Sequence, residues 1–161
     1  MASVMQHVES AAKTGIVAAL TAASILTTAY KMRAFWSDDE SALGEEDLLY
    51  PVVVLEASPS TNMGANARGT LSNTQHAVPM TITVGTDNID DPKRATLLAM
   101  YNAVRGAVDS RDFTADFTTI GSSLTFDAIL VNSGSIGVQT YSDIDQWVSL
   151  ETIWKVCGVT A

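Results

Sequence analysis

The strongest constraint on the fold is the stretch from His76 to Thr86, where apolar and hydroxylated side chains alternate. Val78, Met80, Ile82 and Val84 fall to one side and Thr81 and Thr83 to the other, which is the period of two of a strand with one buried face. Such a strand needs ladder partners and a second layer over its apolar side. Pro79 has no N–H to donate, so the sequence places an edge or a strand end at that point.

The partners are legible on either side. Pro51 opens a run of Val52, Val53, Val54 and Leu55, so Tyr50 to Ala57 reads as a buried strand. Leu124, Phe126, Ala128 and Leu130 alternate with Thr125, Asp127 and Ile129, and Asn132 to Ser135 follows as a turn. From Trp147 to Val159 the chain alternates again, with Val148, Leu150, Trp154 and Val156 on one face and Ser149, Glu151 and Lys155 on the other. Phe113 to Ile120 fits a short strand or an irregular connection.

Two helices supply the second layer. Asp91 and Pro92 announce the clearer one, over 91–109, with Asp91 as cap and Pro92 at the first helical position. Leu97, Tyr101, Val104 and Val108 give it one apolar stripe, Gly106 weakens its last turn, and Asp109-Ser110 closes it. The other is a long N-terminal helix over 4–35, in which Ile16, Leu20, Ala23 and Tyr30 share a narrow arc with Ala19 and Leu26 at its edge. Small residues around the rest of it suit burial on two faces as in an oligomer, or equally an Ala-rich back. The expected fold is α+β: a mostly antiparallel sheet of about four to five strands, with both helices packed on one face, in a single domain spanning 1–161.

Residues 37–49 join the first helix to the sheet. Six carboxylates lie there in two triplets, Asp38-Asp39-Glu40 and Glu45-Glu46-Asp47, separated by Ser41 to Gly44. A calcium loop alternates its ligands around a central glycine, so this segment reads as a solvated acidic linker rather than a cation site. Residues 58–75 are rich in Ser, Asn, Gly and Thr, with Arg68 as the one charge, and read as a mobile hairpin tip or arm that orders against a partner. Thr14 to Tyr30 carries no charge over 17 residues. It is short for a membrane span and diluted by Thr and Ser. Glu9 before it, with Lys31 and Arg33 after it, also argues against a secretory signal. The expectation is a packed helix and no membrane.

Eighteen acidic residues against nine basic ones give a net charge of −9, a field that repels polyphosphate and disfavours sequence-specific nucleic-acid binding. It leaves open a wall past which DNA slides without sticking. The single cysteine, Cys157, makes no internal disulfide, and together with the Met-Ala-Ser start this fits a reducing, cytoplasmic site of synthesis.

No catalytic constellation emerges. The two imidazoles are His7, in a segment expected to fray, and His76, at a loop-to-strand junction. Neither sits in a pattern with a nucleophile and an orienting acid. Cys157 has only Lys155 to activate it, and a buried cysteine ordinarily acts as a small hydrophobe. There is no phosphate-binding loop and no zinc spacing, so no catalytic, cofactor-binding or metal residues are assigned and no cofactor is expected. Trp36, Trp147 and Trp154 read as core or interface anchors. Lys93-Arg94 opposes the dipole at a helix N-terminus unless it meets an acid on a partner. The candidate assembly contacts are therefore Asn62, Met63, Asn66 and Arg68 in the arm, with Lys93 and Arg94 at the second helix.

Taken in order, the N-terminal helix, the Tyr50-Pro-Val-Val-Val54 strand, the polar excursion, the alternating Val78–Val84 strand, the Asp-Asp-Pro-capped helix and the closing strands around Leu124–Phe126 and Trp147–Trp154 resemble the tail terminator (tail completion) proteins of long-tailed bacteriophages. The resemblance spans most of the chain and rests on pattern and order, with no diagnostic motif. It implies a homo-oligomeric ring, typically a hexamer, in the neck of the virion and assembled in the host cytoplasm. Such a ring caps the tail tube and joins it to head-side neck proteins. DNA passes through its lumen, and it has no enzyme activity. The acidic linker and the long uncharged helix exceed that compact pattern. Two other expectations stand beside it: a small-ligand-binding or regulatory α+β module, and an enzyme using only carboxylates drawn from Asp38 to Asp47, Asp127, Asp143 and Asp145.

Overall fold

The computed structural model describes residues 3–25, 28–31, 51–59, 61–62, 75–87, 91, 93–131, 138–140 and 145–158. Three helices and seven strands follow in the order α1 (Val4–Ala22), β1 (Thr28–Lys31), β2 (Val52–Ala57), β3 (Thr61–Asn62), β4 (Gln75–Asp87), α2 (Ala95–Ser110), α3 (Thr114–Thr119), β5 (Thr125–Val131), β6 (Val138–Thr140) and β7 (Asp145–Cys157). The acidic linker, most of the arm and the turn at Asn132 lie outside the described residues.

The fold is α+β. One sheet runs in the order β1-β2-β4-β7-β5, with β3 paired to β4 and β6 to β7. Its body is antiparallel, and only β1 joins β2 in parallel. The two 13-residue strands β4 and β7 form its spine, registered from Gln75 opposite Cys157 to Asp87 opposite Asp145. The residues expected to point inward do so. Val78, Met80, Ile82, Val84, Val148, Leu150, Trp154 and Val156 are each at most 3% exposed, and they pack with Val53, Leu55 and Ala57 under the helices.

Pro79 sits in a central strand and not at an edge. Its carbonyl accepts from the Ser58 amide at 2.8 Å, so its nitrogen faces the same side. There the β2 ladder has ended at Ala57 opposite Met80, and the β3 ladder begins only at Ala77. A missing donor is tolerated where no ladder asks for one.

The first helix is shorter than its apolar arc suggested, ending at Ala22. Ser24 adopts a left-handed φ of 59°, Ser24 N bonds Thr21 O at 3.0 Å, and Ile25 N bonds Leu20 O at 2.9 Å. These two bonds are a Schellman stop. Ile25 then packs against the core, and Tyr30, expected on the helix, belongs to β1. At the other end Ser3 accepts from Gln6 N while the Gln6 side chain accepts from Ser3 N, a capping box.

The ambiguous stretch after α2 is a third helix. Phe113, ahead of its first turn, is fully buried and stands edge-on to Trp154 with ring centroids 4.7 Å apart. Phe117 and Phe126 complete the aromatic cluster. Gly15 of α1 lets this cluster approach, since a Cβ there would lie 2.7 Å from Phe113 Cδ1 and 2.6 Å from Asp116 Oδ2.

In β5 the simple alternation fails. A register shift between Phe126 and Ala128 moves Ile129 and Val131 to the helix side and leaves Leu130 47% exposed. A bulge inserts one residue and so exchanges the faces beyond it.

Candidate functional site

The richest polar arrangement among the described residues lies where β4 ends and β7 begins, beneath the start of α2. Thr86, Asp91 and Gln146 are 2%, 6% and 2% exposed. Asp91 accepts three bonds: Thr96 N at 3.0 Å on Oδ1, Leu97 N at 2.9 Å and Thr86 Oγ1 at 3.0 Å on Oδ2. Gln146 Nε2 donates to Thr86 Oγ1 at 3.0 Å and to the Asp91 carbonyl at 2.7 Å. Its Oε1 accepts from Arg94 Nε at 3.2 Å. A buried carboxylate held by amides at a helix N-terminus meets both the orphan donors and the positive end of the dipole. The network is satisfied from within, so its chemistry is positioning.

The cap differs in detail from the sequence reading. The helix begins at Ala95, and its immediate N-cap is Arg94 in left-handed conformation, φ 59°, with no side-chain cap bond of its own. Asp91 caps from three residues further back, across the turn closed by Arg94 N to Asp91 O at 3.0 Å. Asp91 was legible from its place before a proline. Gln146, 55 residues away, carried no such mark.

Two further carboxylates are buried. Glu9, on α1 and 1% exposed, accepts from Ala57 N at 3.0 Å. Ser58 N points to β4, so Ala57 N points the other way, toward the edge where the described β1 ladder has stopped at Leu55. Glu9 thus supplies an acceptor for the Ala57 amide on the side of β2 away from β4. Asp116 is gripped by Arg111 through Nε to Oδ2 and Nη2 to Oδ1, both 3.0 Å, and that hydrogen bond raises the Arg111 pKa further. The Arg111 guanidinium also lies 5.8 Å from the Phe113 ring centre.

The candidate assembly residues fall into two separated groups. Asn62 lies in β3 opposite His76, at the start of β4, while Met63, Asn66 and Arg68 lie outside the described residues. Lys93 and Arg94 follow the other end of β4, and both are exposed. From His76 to Thr86 the strand runs ten residues, roughly 33 Å at 3.3 Å each, so the two groups do not form one patch.

Among the described residues neither histidine is paired with a nucleophile and an acid. His7 is inside α1 rather than frayed, its Nδ1 is buried without a hydrogen-bond partner, and burial lowers its pKa. His76 Nε2 lies 3.0 Å from the Gly158 carbonyl. Cys157 is half-buried on the sheet face away from Trp154. Among the described residues no three His, Cys, Asp or Glu side chains converge as a metal site, and no helix is long and apolar enough to cross a membrane.

No known family model matches the chain, and no curated protein matches it.

Proposed function

We propose that this chain is a structural virion assembly protein, a ring-forming tail terminator or neck component that caps the tail tube and joins it to the head. The observation that carries the reading is the sheet with the hairpin that runs from β2 through β3 to β4. All three helices cover one face, and past the end of β2 the hairpin continues as the narrow β3–β4 ladder, Thr61–Asn62 on Ala77–His76. Residues 63–74, rich in Gly, Asn, Ser and Thr, lie in sequence between the two strands of that ladder. A polar segment with that composition between two paired strands suits an arm that docks on a neighbouring subunit. The charge of −9 suits a lumen through which DNA moves without adhering.

The opposite sheet face offers a second contact surface. It carries half-buried Val54 and Ile153 and exposed Leu130 among Thr81, Thr83, Ser149 and Lys155. The test is deletion of Asn62 to Thr70. The expected result is an unchanged far-ultraviolet dichroism spectrum and a cooperative melt, with rings lost in negative-stain images. Loss of the cooperative melt would put the arm in the core and remove this support.

A further inference from the structure

We propose that the outer face of α2 is a homotypic contact on which a second copy of this chain docks antiparallel, about a two-fold axis at Asn102. The contact is separate from the proposed ring, because a two-fold contact closes at two copies.

Three observations converge on it. Leu98 is 49% exposed, one of two large hydrophobic side chains so exposed among the described residues, in a chain that buries Leu97 completely one position earlier. Around Leu98 the outer face is small or short: Ala95, Ala99, Asn102 and Gly106 are all exposed, and a Cβ on Gly106 would meet nothing within 4 Å. Third, beside the buried Asp91 cap and the paired Arg105 and Arg111, the exposed charges at the helix ends oppose its own dipole. Lys93 and Arg94 stand at the N-terminal end, and Asp109 and Asp112 at the C-terminal end, all exposed. Each pair is unfavourable on an isolated helix and favourable against the reversed end of another.

The spacing makes these features fit one another. The two-fold at Asn102 sets residue 98 of one copy at the height of residue 106 of the other. There Leu98 enters the space bounded by Asn102, Arg105, Gly106 and Asp109, which are four positions at i, i+3, i+4 and i+7 and form the hole that receives a knob between packed helices. Gly106 gives that hole its depth, and the Arg105 stem flanks it. The Arg105 guanidinium is held to Asp109 at 2.9 Å, so the acid opposite the second copy's lysine at position 93 is Asp112, whose Oδ1 also accepts from Thr114 N at 3.0 Å and Thr114 Oγ1 at 2.6 Å. Arg94 holds Gln146 through Nε and so keeps the turn that carries Lys93 in place. A helix of 16 residues is about 24 Å long, so the contact is small and the pairing depends on concentration and salt.

The experiment is sedimentation velocity across concentration, with oxidation of an Asn102→Cys variant by diamide. The expected results are a doubling of mass, from 17.1 kDa for the free chain or from the ring's own mass where rings form, more weakly in high salt, and a disulfide-linked dimer through position 102. The unaltered chain, whose one cysteine is Cys157 on the sheet, gives no such dimer. Leu98→Asp abolishes the doubling and leaves the melting temperature unchanged, since Leu98 lies outside the core. A monomer at every concentration overturns the pairing, as does a doubling of mass that survives Leu98→Asp. Rings of the Asn102→Cys variant whose introduced thiols stay unlinked overturn it too, while leaving the proposed function standing. A linked dimer that never forms rings does the reverse.

Discussion

Single residues decide how closely the layers approach. Gly15 is the clearest case, because Phe113 and Asp116 occupy the space its side chain would take. Gly15→Ala gains up to about 1 kcal/mol of helix propensity. It loses about 1–3 kcal/mol to overpacking in a cluster already fixed by the Arg111–Asp116 pair. The balance is destabilising, and a melting temperature lower by a few degrees is the expected reading. An unchanged or raised value would show that Phe113 can give way.

His7 acts at the same scale. Burial lowers its folded pKa below the ordinary 6.5, so between those two values the unfolded chain binds more protons than the folded one. Stability is then complete above about pH 6.5 and falls as the pH drops through that window. The melting temperature of the natural chain should therefore decline more between about pH 7.5 and 5.5 than that of His7→Gln. Equal declines would place the histidine in water.

Among the elements, β4, β7 and α2 form the rigid unit, and the Thr86–Asp91–Gln146 network is its joint. Asp91→Ala leaves two helix amides and a buried hydroxyl without their acceptor, a cost of about 1–3 kcal/mol. For a chain of this length that is about 2–4 °C of melting temperature per kcal/mol. Asp91→Asn keeps one acceptor oxygen and should recover part of the loss, as thermal melts of the two variants would show. Most of this unit was legible, because an alternating strand and a proline-marked helix start are local patterns. The rest was not, because tertiary geometry decided it. Helix α1 stops at a left-handed Ser24 that no local rule required, since glycine usually holds that place. The bulge at Asp127 reverses the faces of β5 without any glycine to mark it, and the six-residue helix α3 is too short to show a period.

For the whole molecule, antiparallel pairing of β2, β4, β7 and β5 under one helical layer follows from patterns visible in the sequence. Of the candidate contacts, Lys93 and Arg94 stand exposed at the start of α2, but they lie a strand's length from Asn62. Sequence neighbourhood could not show that separation, because it depends on which end of β4 each group adjoins. Two surfaces at opposite ends of one spine suit an assembly in which each copy touches more than one neighbour. The measurement that tests this most directly is mass in solution, by light scattering on a size-exclusion column, with negative-stain imaging of the same peak. The expected result is a closed ring, typically of six 17.1 kDa subunits, populated as concentration rises. A chain that remains monomeric or dimeric at every concentration, with no rings in the images, would contradict it.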